Sequence, residues 1–366
     1  MTNGLQNPIL KEDMDYILEK LSDEEKRKFS GSTILITGCG GFLGYYFMHF
    51  FNAHGDSLGI KEVIALDNFL TGTRDWLDKM ATDNSKIKLH HFDIITDDPE
   101  SIKGLEKVNL IIHAASIASP TFYRIYPLET IDANITGLRR LLDYYSGKNI
   151  TGMLFFSSSE IYGDPFPEFI PTSEEYRGNV ATMGPRACYD EAKRFGETLC
   201  YVFGEKYGFP VSIARPFNNY GPGMNINDKR LPADFAKCVI EGRDLVMYSD
   251  GKPTRTFCYI ADAIAGYFKV LMHGKTDVFN IGLDKPEISV KRFAELFQEN
   301  AGRIFNYKGK VKFDVPEDAH YMTDNPNRRC PDITKAKNVL GYEPGVSVDE
   351  GIGRYLEFLR FNKGGL

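Results

Sequence analysis

Hydrophobic positions along this chain follow two alternating rhythms. One is a set of short runs: Thr33-Ile34-Leu35-Ile36, Val63-Ile64-Ala65-Leu66, Lys86 to Asp93, Val108 to Ile112, Met153-Leu154-Phe155-Phe156 and Pro210 to Ala214. Most are apolar and β-branched throughout, which fits strands of a parallel sheet covered on both faces. The other rhythm has helical spacing. It runs from Phe42 to about Phe51, from Leu128 to Tyr145, and through Ala192, Phe195, Leu199, Val202 and Phe203. The alternation predicts an α/β fold with a doubly wound parallel sheet and right-handed crossovers. Ahead of the first strand, Leu10, Met14, Ile17, Leu18 and Leu21 share helical spacing, and residues 23–28 are all charged. Residues 1–30 therefore read as an amphipathic helical extension packed on the main body. After Arg215-Pro216 the texture changes. Residues 218–255 are loop-rich, 256–282 return to strand and helix character, and mixed α/β material follows from 283 to 366. A sheet domain (31–217 with 256–282) and a smaller domain interleaved with it (218–255 and 283–366) are expected.

The ends of the predicted strands carry the chemistry. The first runs into Thr37-Gly38-Cys39-Gly40-Gly41-Phe42-Leu43-Gly44 and then a helix. Glycines at 38, 41 and 44 let the backbone turn tightly and approach a pyrophosphate seated on the helix N-terminus. The second strand ends at Asp67, where an acid binds the ribose hydroxyls of NAD and repels the extra phosphate of NADP. Asp93 ends the third strand. The fourth leads to His113-Ala114-Ala115-Ser116, whose small residues admit a cofactor close to the backbone; His113 reads as a packing and hydrogen-bonding residue. Asn134 lies in the helix that follows. The fifth ends in Ser157-Ser158-Ser159-Glu160, a hydroxyl cluster with one acid at the strand end that faces the crevice of such sheets. A Gly184-Pro185 break then opens a helix with Tyr189 and Lys193 one turn apart on one face. A neighbouring ammonium is expected to lower the phenol's pKa and make Tyr189 a base at neutral pH.

Bulk properties narrow the classes. The chain has 366 residues, 42% hydrophobic and 26% charged, as in soluble globular proteins. Its net charge of −6, with no basic block, argues against nucleic acid as a partner. The six cysteines are scattered, with no CxxC and no Cys/His cluster, so neither a metal site nor a disulfide framework is expected. No apolar run reaches membrane-span length. A cytoplasmic protein without metal is the resulting expectation.

Taken jointly, these motifs resemble the extended short-chain dehydrogenase/reductase family, in its nucleotide-sugar branch. The matching residues are Thr37-Gly38-x-x-Gly41-x-x-Gly44, Asp67, Asp93, His113-Ala114-Ala115, Asn134, the serine triplet, Tyr189-x-x-x-Lys193 and Arg215-Pro216-x-Asn218. Within the branch, Ser159-Glu160-Ile161-Tyr162-Gly163-Asp164-Pro165, Gly184-Pro185-Arg186-Ala187-Cys188-Tyr189-Asp190-Glu191, Met224 to Asp228 with Arg230, and Thr254-Arg255-Thr256-Phe257 are similar to the UDP-glucuronate decarboxylases.

The resemblance implies a Rossmann-type sheet with a smaller mixed α/β substrate domain, NAD as cofactor, a UDP-sugar as substrate and a homodimer formed through helices that include the Tyr189 helix. NAD contacts are implied at Gly38, Gly41, Phe42, Leu43, Gly44, Asp67, Asn68, Asp93, Ile94, Ala114, Ala115, Ser116, Asn134, Tyr189 and Lys193. Tyr189 is implied to take the proton of the sugar 4-hydroxyl while Ser158 hydrogen-bonds it. Hydride leaves C4, and the resulting ketone permits loss of a C5 carboxylate as CO2 before hydride returns. Glu160 and Arg255 match the decarboxylases' special residues, Arg255 as C5 proton donor or charge stabiliser, and Arg186 is implied to contact the carboxylate. Ser119, Asn218, Arg230, Tyr248 and Arg329 are substrate candidates, the last four for base and diphosphate.

Ser159 separates neighbours in the branch. Where 4,6-dehydratases resemble Thr-Asp-Glu, with the aspartate expelling water, this chain has Ser158-Ser159-Glu160 and no acid to give. That fits a CO2 leaving group. A 4-epimerase is the first alternative, a dehydratase the second, and a non-catalytic NAD-binding sensor or scaffold the alternative outside enzymes. The chain departs from the decarboxylase pattern at Ser158 (usually threonine), Ile117 (proline) and Gly223 (arginine), the last two near the expected sugar or diphosphate contacts.

Overall fold

A computed structural model describes residues 7–314 and 326–362. Residues 1–6, 315–325 and 363–366, assigned above to the extension and to the smaller domain, lie outside the described residues. The chain opens with α1 (Pro8–Lys20) and α2 (Asp23–Lys28), then β1 (Thr33–Thr37), α3 (Phe42–His54), β2 (Glu62–Asp67), α4 (Asp75–Asp83), β3 (Ile87–His91) and β4 (Leu110–His113). Next come α5 (Pro120–Ile125), α6 (Pro127–Asp132), α7 (Leu138–Tyr145), β5 (Gly152–Phe156), α8 (Ala187–Tyr207) and β6 (Val211–Pro216). The remainder is β7 (Asn219–Tyr220), α9 (Leu231–Glu241), β8 (Leu245–Met247), β9 (Thr254–Arg255), β10 (Cys258–Tyr259), α10 (Ile260–His273), β11 (Asp277–Ile281), β12 (Ile288–Ser289), α11 (Val290–Phe305), β13 (Val311–Phe313), β14 (Arg328–Arg329), α12 (Thr334–Leu340) and α13 (Val348–Phe361).

Seven strands form one parallel sheet in the order β11-β6-β5-β4-β1-β2-β3. This is the doubly wound order, and its direction reverses between β1 and β4, so the ligand crevice opens beyond their C-terminal ends. Every residue of β1, β4 and β5 is buried, as their unbroken apolar runs require. One apolar core lies between the sheet and α1, α3 and α10, and a second under α7 and α8. The six strand runs of the sequence are all present, and β11 adds a seventh.

Three local readings change. The segment 218–255 holds an eleven-residue helix, α9, whose proline in the first turn and glycine at its end set its limits. The helix read from Leu128 to Tyr145 is divided by one π turn at 133–137, and Asn134 sits in it. The stripe on α8 is only half core: Ala192 and Phe203 are buried, whereas Phe195 and Val202 are 48% and 45% exposed. That helix has a second apolar face, directed outwards.

The extension is fastened by polar contacts as well as by its apolar stripe. Asp13 of α1 is buried and accepts hydrogen bonds from the Tyr46 hydroxyl (2.7 Å), the Tyr259 hydroxyl (2.7 Å) and Arg354 Nη2 (2.7 Å). It thereby ties α3, β10 and α13 together. No helix among the described residues is long and apolar enough to cross a membrane.

Candidate active site

A cavity of about 430 Å³ opens at the C-terminal edge of the sheet. Its floor is the loop between β1 and α3. Gly38 has φ +76°, and a Cβ there would lie 2.6 Å from the Ala114 carbonyl carbon; a Cβ on Gly44 would run into the Cys39 carbonyl. Only glycine fits either position. Gly41 caps α3 without a side-chain hydrogen bond, so the first N–H groups of that helix are left for an anion. The Ser116 hydroxyl lines the same wall, buried and without a partner. At the end of β2, Asp67 accepts from the Gly40 N–H (2.8 Å) and the Phe69 N–H (2.7 Å), which fixes its carboxylate beside the loop. Burial raises its pKa and these two bonds oppose the rise. This set of donors and close backbone suits a dinucleotide.

The predicted cofactor residues divide. Gly38, Gly41, Phe42, Leu43, Gly44, Ala114 and Ser116 line the cavity together with Tyr189 and Lys193; Asp67, Asn68, Asp93, Ile94, Ala115 and Asn134 do not line it. Asn68 donates to Asp93 (3.1 Å), and Asp93 in turn caps Ile95 (2.8 Å). Ile94 packs in the second core close to Gly137. His113 is the packing residue its sequence suggested: Nδ1 pairs with the Thr37 hydroxyl at 2.7 Å. Burial, helped by Lys193, pushes its pKa down to about 3.

At the centre, Ser158 caps the short 3-10 turn Ser159–Tyr162 by accepting from the Glu160 N–H (3.2 Å), and the Ser158 hydroxyl lies beside the Tyr189 phenol, whose ionised form it favours. The ring of Tyr123 stacks on that of Tyr189, centroids 5.2 Å apart and 12° from parallel, and its hydroxyl is buried without a partner. The expected lowering of the phenol pKa is absent. Burial pushes Tyr189 up to about 12, and Ser158 only softens the rise. The reason is geometric: the Lys193 ammonium donates to the Phe156 carbonyl at 2.6 Å and lies 5.7 Å from the Tyr189 ring centre. Burial also brings Lys193 down to about 7.

Beyond Tyr189 the wall is ionic. Glu160 is gripped by Arg186 and by both terminal nitrogens of Arg329, one at 2.6 Å. Burial works against its charge, but the two arginines override it and hold the carboxyl at about 2. Arg255 faces Arg329 across the β9–β14 ribbon, where the two are register partners, and donates to the Thr254 (2.7 Å) and Asn327 (3.1 Å) carbonyls. Burial and the Arg329 charge bring it down to about 9. Arg329, grouped by sequence with the base and diphosphate candidates, thus meets Glu160 instead. Behind Arg186 stands Asp190, buried, its Oδ2 3.6 Å from Arg186 Nε.

The other substrate candidates line the far part of the cavity. Arg230 is held by Asp228 through bonds of 2.8 and 2.6 Å and lies 5.6 Å over the Phe42 ring, bringing this loop against the glycine turn. Ser119 donates to the Asp228 carbonyl at 2.8 Å. Asn218, at φ +44°, donates to the Thr256 carbonyl at 2.9 Å, and Tyr248 completes the wall. Tyr123 and Asp190 carried no separate sequence signal; the one follows a serine-proline helix start, and the other sits inside the Tyr189 motif.

Comparison with known proteins agrees with this geometry. Residues 34–282 match the model of the NAD dependent epimerase/dehydratase family. The chain is 35% identical over 93% of its length to UDP-glucuronic acid decarboxylase 1 of Xenopus tropicalis, of which it covers 74%. It is 36% identical over 92% of its length to UDP-glucuronic acid decarboxylase 6 of Arabidopsis thaliana, covering 91% of that protein. Among solved structures, UDP-glucose 4-epimerase of Thermotoga maritima, determined with UDP-glucose, superposes with a TM-score of 0.77 at 25% identity, over 90% of this chain and 99% of that one. With the glycine turn, the helix N-terminus and the strand-end aspartate in place, the chain belongs to the NAD dependent epimerase/dehydratase family and takes NAD as its cofactor.

Proposed function

We propose that the protein converts UDP-glucuronate to UDP-xylose and CO2, with NAD+ regenerated in each turnover. The observation that carries this reading is the cluster of positive charge beside Tyr189: Arg186 and Arg329 grip the ionised carboxylate of Glu160, and Arg255 lies beside them. A neutral sugar gives such a cluster nothing to bind, whereas a C5 carboxylate does. The naming of relatives that match over most of the chain supports it.

NAD, when bound, supplies the acceptor and later the donor of the C4 hydride. Tyr189 removes the 4-hydroxyl proton, and Ser158 holds that oxygen. The raised phenol pKa asks for a cation next to it in the loaded site, a task for Lys193. The 4-ketone is β to the carboxylate, so the C5–CO2 bond breaks with its electron pair delocalised into the carbonyl. Arg329 stabilises that charge, Arg255 gives C5 its proton and is reprotonated from solvent, and Tyr189 returns its proton to the 4-oxygen as C4 regains its hydride. Ser159 has no acid proton to give, in keeping with a leaving group that needs none. Arg230, Asn218 and Tyr248 hold the nucleotide, with Ser119 fixing the Asp228 loop.

The same reading covers the frame. Residues 31–217 with 256–282 form the NAD-binding part, and 218–255 with 283–366 the sugar-binding part; β11 closing the large sheet and the β9–β14 ribbon outside it support the division. The exposed Phe195 and Val202 of α8 and Leu128 of α6 support a homodimer across these helices. Introducing aspartate at 195 and 202 should give a monomer in sedimentation. The cysteines are all free thiols, in keeping with a cytoplasmic location.

The test is incubation of purified protein with NAD+ and UDP-glucuronate, following the sugar by proton NMR and trapping CO2. One CO2 per UDP-pentose is the expected result. UDP-galacturonate without CO2 would make it a 4-epimerase, and binding without any change of the sugar would leave a sensor.

A further inference from the structure

Arg186 of the ionic wall lies between two carboxylates, the partly buried Glu160 and the buried Asp190. Glu160 takes its outer edge. Asp190, one helical turn on in α8, faces its Nε at 3.6 Å, too long for a hydrogen bond. Asp190 Oδ1 and Arg186 Nε are both buried and unpartnered. The oxygen that faces Nε is Oδ2, and Oδ1 beside it has no partner, so a small turn of the carboxylate would bring Asp190 fully onto Arg186. The cavity wall includes Arg186 and Glu160 but not Asp190.

We propose that Asp190 is a positioning residue: it backs Arg186 from inside the helix, and its protonation state sets how much positive charge the wall offers an acidic sugar. The inference rests on the acidic-sugar reading above. Protonated, Asp190 leaves Arg186 and Arg329 opposed chiefly by the Glu160 they grip. Ionised, it draws the Nε edge of Arg186 back and cancels part of that charge. Burial and the Glu160 charge raise Asp190 to about 7, against the pull of Arg186 and Arg329, so the change falls at neutral pH. The other groups around it are Tyr123 from α5, whose hydroxyl is pushed up by burial, and Tyr189 and Cys188 on its own helix. Lys193, one turn further, also titrates near 7.

The experiment is calorimetric binding of UDP-glucuronate and of UDP-glucose to the protein loaded with NADH, which cannot accept the C4 hydride, from about pH 6 to about pH 8, wild type against Asp190→Asn. The readout is the ratio of the two affinities, which removes groups that sense only the nucleotide. In the wild type the preference for the uronate should fall roughly ten-fold as pH rises, the order expected for one partly screened charge. Asp190→Asn should hold the low-pH preference throughout. Lys193 is unchanged in the variant, so the part of the slope that disappears belongs to Asp190. Asp190→Glu, with the carboxylate retained, should restore the slope, and Asp190→Ser, which also lacks a titrating group, replaces the asparagine variant should that fail to unfold cooperatively. A slope unaltered in Asp190→Asn, or no slope in the wild type, overturns the role of Asp190 while leaving an acidic substrate intact. No preference for the uronate at any pH would remove both.

Discussion

The two ends of the cavity are built from opposite materials. The cofactor end is made of backbone and missing side chains: Gly38 against Ala114, Gly44 against Cys39, and the open N-terminus of α3. The sugar end is made of ionised side chains with almost no solvent: Glu160, Arg186, Arg255 and Arg329, each buried or nearly so. The first recognises a ligand by shape and peptide dipoles, which are fixed in place before it binds. The second holds charges whose pKa values depend on one another. A closed set of glycines is rigid in its demands; a closed set of charges is sensitive to the loss of any member.

Four measurements would break or sharpen that contrast. The largest effect belongs to the boundary between the ends. Tyr189→Phe should lower kcat by roughly 10²–10⁴-fold while UDP-sugar affinity stays within a few fold; full turnover in the variant would deny Tyr189 its role. Next, Glu160→Gln leaves two buried arginines without their counter-charge and should cost about 3 kcal/mol in urea unfolding at neutral pH. The effect has a defined acid limit. With its pKa held at about 2 against an ordinary 4.5, Glu160 contributes fully above 4.5, and the contribution is lost as pH falls towards 2. Wild type and variant should converge there.

At the cofactor end, Gly38→Ala should cost about 1–3 kcal/mol from the left-handed backbone and the contact with Ala114, and should weaken NAD binding. Titration of NAD followed by protein fluorescence checks it, and unchanged affinity would mean that the turn has room to spare. The effect that vanishes at neutral pH lies under the same floor. His113 is kept neutral, its pKa down at about 3 against 6.5, so the unfolded chain binds a proton that the native one does not between those values. Stability should therefore fall as pH drops below 6.5, by up to about 1.4 kcal/mol per pH unit. His113→Gln should flatten that part of the profile. The cofactor end thus begins to weaken in mild acid, before the sugar end does.

Legibility followed the same divide. Strand runs, the glycine turn, Asp67 and the Tyr189–Lys193 pair are contiguous or periodic, and they could be read in place. The π turn at Asn134 could not, because one extra residue in a turn carries no residue-type signature. Helix α9 was hidden inside a segment full of glycine, proline and asparagine. The outward apolar face of α8 looked like core, since spacing alone does not tell which side of a helix is covered. Arg329 was grouped with the nucleotide contacts because its partner, Arg255, comes from a strand far away in the chain.

The sequence by itself determined the sheet and its crevice, the dinucleotide turn and the identity of the side chains at the strand ends. These depend on local backbone freedom and on short-range periodicity, which neighbouring residues carry among themselves. Only the tertiary structure decided the electrostatic state of the site. It placed Glu160 between Arg186 and Arg329, set Arg255 beside them, turned the Lys193 ammonium onto the Phe156 carbonyl and left the Tyr189 phenol pushed up to about 12. The energy of a buried charge is set by whatever packs around it, and here the surrounding groups arrive from four separate stretches of chain.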